Sequence, residues 1–253
     1  MRVLIAYGHT WASTTAADAA ASRAQSLAAA LMASGHESNV VAAMARARPA
    51  FRKVGAPLED PRHEYAVAAT IRAFAPDVVH LLGCGGGTSI HLPWIARALG
   101  VASIVEVEAA ALLCHRGDLV HASGEACLVT DDAARCAACC CARTRGRAGL
   151  SAAGAIAARA TRWLGDVAPF PTPLAFRNRR DLLSAALSEA AAVVVRDEAG
   201  RRAALALDLP AAHLHLLTES HAALLPLWTS LAARPATSLA DDGVQARSTA
   251  GTA

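Results

Sequence analysis

Short apolar runs alternate with longer stretches of helical period along most of the chain. Arg2–Tyr7 (RVLIAY), Val78–Leu82 (VVHLL), Ala102–Val107 (ASIVEV) and Ala192–Val195 (AVVV) read as apolar runs, the pattern of strands buried on both faces. His36–Val41 and His213–Leu217 read as two further short strands. Thr15 and Asp18 have the spacing of a capping box, and the helix they open runs through Leu27 and Leu31 to a stop at Gly35. Met44–His63 is basic and broken by proline, which predicts an irregular loop. Further helices are predicted over Glu64–Phe74, over Asn178–Ala190, over Glu198–Ala206 and, weakened by Pro226, over Ala222–Ala233. Strand and helix in alternation make parallel crossovers. The expected fold is therefore α/β: a single Rossmann-like, doubly wound, mainly parallel sheet.

The alternation breaks after Glu108. Ala109–Gly149 holds six of the seven cysteines with little periodicity, and reads as a cysteine-rich insertion at the carboxyl end of a strand. Periodicity resumes with an alanine-rich helix at Ser151–Trp163, then a connection through Pro169, Pro171 and Pro173. The expected organisation is one domain over 1–234, containing the insertion at 109–149, followed by a small, polar, disordered tail at 235–253.

Composition narrows the function classes. The chain is 54% hydrophobic but only 4% aromatic, and much of the apolar content is alanine, so a thin, close-packed core is expected. Lys53 is the only lysine and the net charge is +3, too small to argue for nucleic acid, and no aromatics interleave with the arginine runs at 143–147 and 177–180. Those runs read as solvated faces, or as contacts for a donor phosphate or an anionic membrane surface. No apolar run reaches the ~18 residues of a membrane-spanning helix, and Arg2–Tyr7 is too short for a signal peptide. A cytoplasmic location is expected, where cysteines serve as thiols or metal ligands rather than disulfides.

Three groups of residues carry candidate chemistry. The turn after Val78–Leu82 contains Gly83, Gly85, Gly86 and Gly87, followed by Thr88 or Ser89 as the cap of a helix running to Leu99. Such a turn brings a ligand close to backbone N–H groups at the positive end of a helix, although the spacing is neither the dinucleotide fingerprint nor a phosphate-binding loop. Cys84 within it reads as a buried, inert thiol. Glu108, at a strand's carboxyl end, can hold a hydroxyl or act as a base, or be a solvated strand end. His9, Thr10 and Thr14 follow the first strand and face the same cleft or cap the first helix. Cys114, Cys127, Cys136 and Cys139 give C-x12-C-x8-C-x2-C, which fits either a closed structural zinc site or a cluster of free thiols, with Cys140, Cys141, His115 and His121 nearby. His213 and His215 read as surface histidines.

Taken together, these segments resemble the N-terminal half of a family 4-like glycosyltransferase, whose two Rossmann-like domains face each other across a cleft. The resemblance runs from about Arg2 to Ser220 and rests chiefly on Ala111–Cys139, ALLCHRGDLVHASGEACLVTDDAARCAAC, where several members carry LLCPRG…G…C…C-x-x-C. SGHESNVV at Ser34–Val41, PDVVHLL, and Glu189–Arg202 leading to LHLLTES also match. Departures are the loop HTWASTTAA in place of a Gly-Gly pair, and Glu108-Ala109 where the family commonly has His-Asp. After Ser220 no segment matches the family's second domain, which binds most of the nucleotide-sugar donor. The resemblance implies an acceptor-side half of a retaining, nucleotide-sugar-dependent transfer enzyme. A sugar acceptor would be its ligand, and a separate donor-domain chain or a homodimer would complete it. The alternative is a non-catalytic partner, regulatory subunit or degenerate remnant built on the same half-fold.

Overall fold

The structure, a computed structural model, describes residues 1–8, 14–43, 59–83, 88–114, 119–127, 132–148, 173–217 and 223–233, with the side chains of 14–18, 111 and 141–148 excepted. Six strands are described: β1 (Arg2–Tyr7), β2 (Glu37–Ala42), β3 (Val78–Leu82), β4 (Ala102–Val107), β5 (Ala192–Val195) and β6 (Leu214–Leu216). Between and after them come α1 (Thr14–Ala33), α2 (Pro61–Phe74), α3 (Leu92–Ala98), α4 (Ala109–Leu113), α5 (Ala133–Ala148), α6 (Pro173–Ser188), α7 (Glu198–Leu205) and α8 (Leu224–Ala232). The strands form one sheet in the order β2-β1-β3-β4-β5-β6, and every pairing is parallel. The order reverses between β1 and β3, the switch point at which open α/β sheets leave a crevice.

Side-chain alternation along the strands divides the core into two layers. Val3, Ile5, Val78, Leu82, Ala102, Ile104, Ala192 and Val194 point to one face, covered by Ala24, Leu27 and Leu31 of α1 and by Leu224, Trp228 and Leu231 of α8. Leu4, Ala6, Val79, Leu81, Val105, Val107, Val193 and Val195 point to the other, against α2, α3, α6 and α7. Both faces being covered explains why these strands read as near-continuous apolar runs.

Several predicted boundaries move for identifiable reasons. Helix α2 begins at Pro61, within the predicted loop, because Asp60 caps it by accepting from the backbone N–H groups of Arg62 and His63, and proline suits the first helical turn. Helix α3 begins at Leu92 and spans seven residues, so neither Thr88 nor Ser89 caps it. Pro226 lies in the first turn of α8, where its missing N–H leaves no helical bond unmade. The segment predicted to be aperiodic contains α4 and α5, and Cys136, Cys139, Cys140 and Cys141 all lie on α5. The predicted helix at Ser151–Trp163, the proline-rich stretch up to residue 172 and the tail at 235–253 lie outside the described residues. Among the described residues no helix is long and apolar enough to cross a membrane.

Candidate functional site

Two polar residues interrupt the face of the sheet that carries α1 and α8. His80 of β3 is 0% exposed and Glu106 of β4 is 5% exposed. In the parallel register His80 lies beside Ile104 and Leu82 beside Glu106, so the two polar residues are diagonal neighbours on one face. Buried polar groups need partners, and this pair has several. Arg23 of α1 grips the carboxylate with two parallel bonds, Nε to Oε1 at 3.2 Å and Nη2 to Oε2 at 3.0 Å. Arg196, just after β5, brings its Nε to 3.3 Å from Oε1. His80 Nε2 lies 3.5 Å from Oε2, a long contact, while Trp228 of α8 donates its indole N–H to His80 Nδ1 at 3.1 Å. An Nδ1 that accepts places the imidazole hydrogen of the neutral ring on Nε2, which lies near Glu106 but makes no hydrogen bond among the described residues. A chain of contacts therefore runs from the buried indole to two guanidiniums at the sheet's carboxyl end.

Burial alone would raise the Glu106 carboxyl, but the neighbouring His80 imidazole, followed by the Arg23 guanidinium, outweighs it and holds the group down to about 2. Against the ordinary value of 4.5, that depression corresponds to roughly 3 kcal/mol at about 1.36 kcal/mol per unit. The contribution is complete above pH 4.5 and is lost as the pH falls towards 2. His63 of α2 acts earlier in the same direction. It is 3% exposed, neither ring nitrogen has a hydrogen-bond partner among the described residues, and burial lowers its basicity against the opposing charges of Asp60 and Glu64. Stability is thus expected to decline in two stages on acidification, first below pH 6.5 and then below 4.5. Thermal melts across that range check this, and Glu106→Gln should abolish the second stage while leaving the first.

The guanidiniums open onto a cleft of about 590 Å3 at the carboxyl ends of β4 and β5, lined by Arg23, Arg196, Glu108, Asp197, Leu119 and Leu217 among others. Glu108 follows β4 in extended conformation and enters α4 without bonding its backbone, so its carboxylate is exposed. Asp197 caps α7 by accepting from Gly200 N at 2.6 Å. A Cβ on Gly200 would stand 3.2 Å from that carboxylate and 3.3 Å from Val195, so glycine allows the helix to start close against β5. Two cations and three carboxylates, counting Glu106, meet here. Such a site suits polyhydroxyl groups, which both accept from guanidinium and donate to carboxylate.

No family model, no curated protein and no solved structure matches this chain.

The remaining sequence-predicted residues fall in three places. Gly83 ends β3 at φ +71°, a left-handed turn that glycine adopts without strain, and its N–H bonds Glu106 O at 3.0 Å. Thr88 and Ser89 are fully buried: Thr88 Oγ1 donates to the carbonyl of Leu82, and Ser89 Oγ donates to Glu64 Oε1 at 2.5 Å. Their hydroxyls therefore tie the glycine turn back to β3 and α2. His9, Thr10, Cys84, Gly85, Gly86 and Gly87 lie outside the described residues, and Thr14 is the first residue of α1.

The four cysteines converge from separate stretches. Cys114, Cys127, Cys136 and Cys139, with Cys140, line one cavity of about 30 Å3. Burial, and then the charges of Cys127, Cys114 and Cys139, push the Cys136 thiol upward, which reflects their closeness. None of them forms a disulfide, and among the described residues no group of three or more His, Cys, Asp or Glu side chains is already disposed to hold a metal ion. The arginine run at 177–180 is the solvated face its sequence predicts only at Arg177, which is exposed. Arg179 is 6% exposed and donates to Leu112 O at 3.2 Å, pinning α4 to α6, and Arg180 donates to the carbonyl of Ala206.

Sequence reasoning missed Arg23, His80, Glu106, Arg196 and Trp228. The signal was present in part: a histidine inside VVHLL, a glutamate inside ASIVEV, and Arg196-Asp197 directly after AVVV, the same strand-end position that singled out Glu108.

Proposed function

We propose that this chain is the acceptor-side domain of a nucleotide-sugar-dependent glycosyltransferase, working with a second domain, a separate donor-binding chain or a second copy of itself. The observation that carries the reading is the cleft beyond β4 and β5. There Arg23 and Arg196 are held in place by a buried carboxylate while Glu108 projects unbonded to its own helix. In this reading Glu108 orients an acceptor hydroxyl and accepts its proton, because a carboxylate at hydrogen-bond reach is the group available for that task. Arg196 and Arg23 bind neighbouring hydroxyls or an anionic group. Their shared contact with Glu106 removes much of the side-chain freedom that binding would otherwise have to freeze. A donor carried by an opposing domain would close over this surface, since transfer needs both substrates positioned in one cleft. The all-parallel sheet, the strand-end position of the cleft and the sequence resemblance at Ala111–Cys139 support the assignment.

Calorimetric titration with uridine and guanosine diphosphate sugars and with simple glycosides tests it. Binding of at least one glycoside is expected. Arg196→Ala and Glu108→Gln should each weaken it about tenfold or more, the usual effect of deleting one charge-assisted hydrogen bond. A folded wild-type chain that binds none of the panel, or variants that bind unchanged, would overturn the reading and favour a non-catalytic partner subunit.

A further inference from the structure

We propose that Cys114, Cys127, Cys136 and Cys139 form a structural zinc site that pins the segment after β4 and fixes one wall of the cleft. The inference is independent of the glycosyl-transfer reading.

The four thiols come from three stretches of the chain. Cys114 follows α4 directly. Cys127 ends a short hairpin whose only ladder is the Val120–Ala126 bridge, closed by Cys127 N donating to Leu119 O at 2.6 Å. Cys136 and Cys139 stand three residues apart on α5, neighbours on one helix face. An isolated hairpin is marginal in water, and among the described residues the buried apolar cluster behind these thiols consists of Ala137, Cys140 and Phe176, with Ala133 and Cys136 partly buried against it. A metal staple would add to so small a described core.

The chemistry of the donors selects the staple. None of the four forms a disulfide. They surround a cavity of about 30 Å3, room for one ion and little more. Four thiolates suit zinc in closed tetrahedral coordination and do not suit magnesium or calcium, which take oxygen donors. The thiols line the cavity without converging into a ready-made ligand set. Ligation would draw the three stretches together, as in small metallo-domains where metal binding and folding are one event. The neighbouring candidates have other tasks. Cys140 is 8% exposed and packs with Phe176, and His121 spends Nδ1 on Ser123.

The link to the cleft is Leu119, which lines the cysteine cavity and the cleft alike. Leu119 sits at φ +49°, an unusual conformation for a branched side chain, so tertiary constraint rather than local preference keeps it there. Metal bound at Cys114 and Cys127 would supply that constraint from both sides.

The test uses the full chain, purified without chelators. Metal analysis is expected to find about one zinc per chain, released by a mercurial thiol reagent. Cobalt added to the metal-free protein should give intense thiolate-to-cobalt charge-transfer absorption with the visible bands of a tetrahedral ion. Cys127→Ser and Cys136→Ser should lose the metal, whereas Cys140→Ser should keep it. A folded wild-type chain with far less than stoichiometric zinc and no charge-transfer absorption would overturn the proposal, as would retention of zinc by both ligand variants. Should those variants fail to fold, the cobalt spectrum of the wild-type chain decides alone.

Discussion

Glu106→Ala is expected to lower the free energy of unfolding by about 3–5 kcal/mol, the usual penalty for removing one member of a buried ion pair. The size follows from what the substitution strands. Arg23, with only 16% of its side chain exposed, loses both halves of its bidentate bond, and the fully buried His80 loses the carboxylate 3.5 Å from its Nε2. Arg196 adds little, because 48% of its side chain is exposed and water replaces the carboxylate readily. Glu106→Gln should cost less, since an amide oxygen still accepts from Arg23, but it removes the charge that balances two guanidiniums. Urea titration reads both variants, with slopes near that of the wild type. A loss under about 1 kcal/mol for alanine would mean that the arginines find water or other partners easily, and the preorganised cleft would have to be abandoned.

The second large effect is expected at Trp228. Trp228→Ala should cost about 3–5 kcal/mol, the range for truncating a large buried aromatic residue. The indole is 1% exposed between α8 and the sheet, and it is the largest fully buried side chain described. Its removal opens a cavity beneath β3 and also deletes the donor to His80 Nδ1. Trp228→Phe separates the two effects. It retains most of the apolar volume and loses the N–H, so a smaller cost of about 1–3 kcal/mol is expected from the unsatisfied nitrogen. Because Trp228 and Glu106 meet the same imidazole from opposite sides, their effects should not add. A double-mutant cycle of Trp228→Phe with Glu106→Gln is expected to show coupling of about 0.5–3 kcal/mol. Strict additivity would show that the contacts act separately rather than as one network.

The strands and the α/β class were legible because their cause is local. β1, β3, β4 and β5 match the predicted runs residue for residue, since a strand buried on both faces must be apolar at successive positions. The stop of the first helix was equally readable: Gly35 takes φ +76°, which few other residues accept. Helix starts were less so. Asp60 capped α2 from inside a stretch that composition marked as loop, and a proline that breaks helix interiors is welcome in a first turn.

What the chain order alone could not decide was which polar residues share a site. Glu108 was readable because a strand's carboxyl end is a position along the chain, and the four cysteines because their spacing is. The bonds among Glu106, His80, Arg23, Arg196 and Trp228 span up to 148 positions, as in the Trp228–His80 bond. They meet only because β3, β4 and β5 lie side by side in parallel register with α1 and α8 across one face. A glutamate in an apolar strand is unfavourable until the register brings a guanidinium and an imidazole to it. The residue sequence therefore determined the layers, the strands and the strand-end positions. Only the assembled sheet decided that a buried carboxylate would hold two arginines at the mouth of a cleft, because that energy exists only once the partners have been brought together.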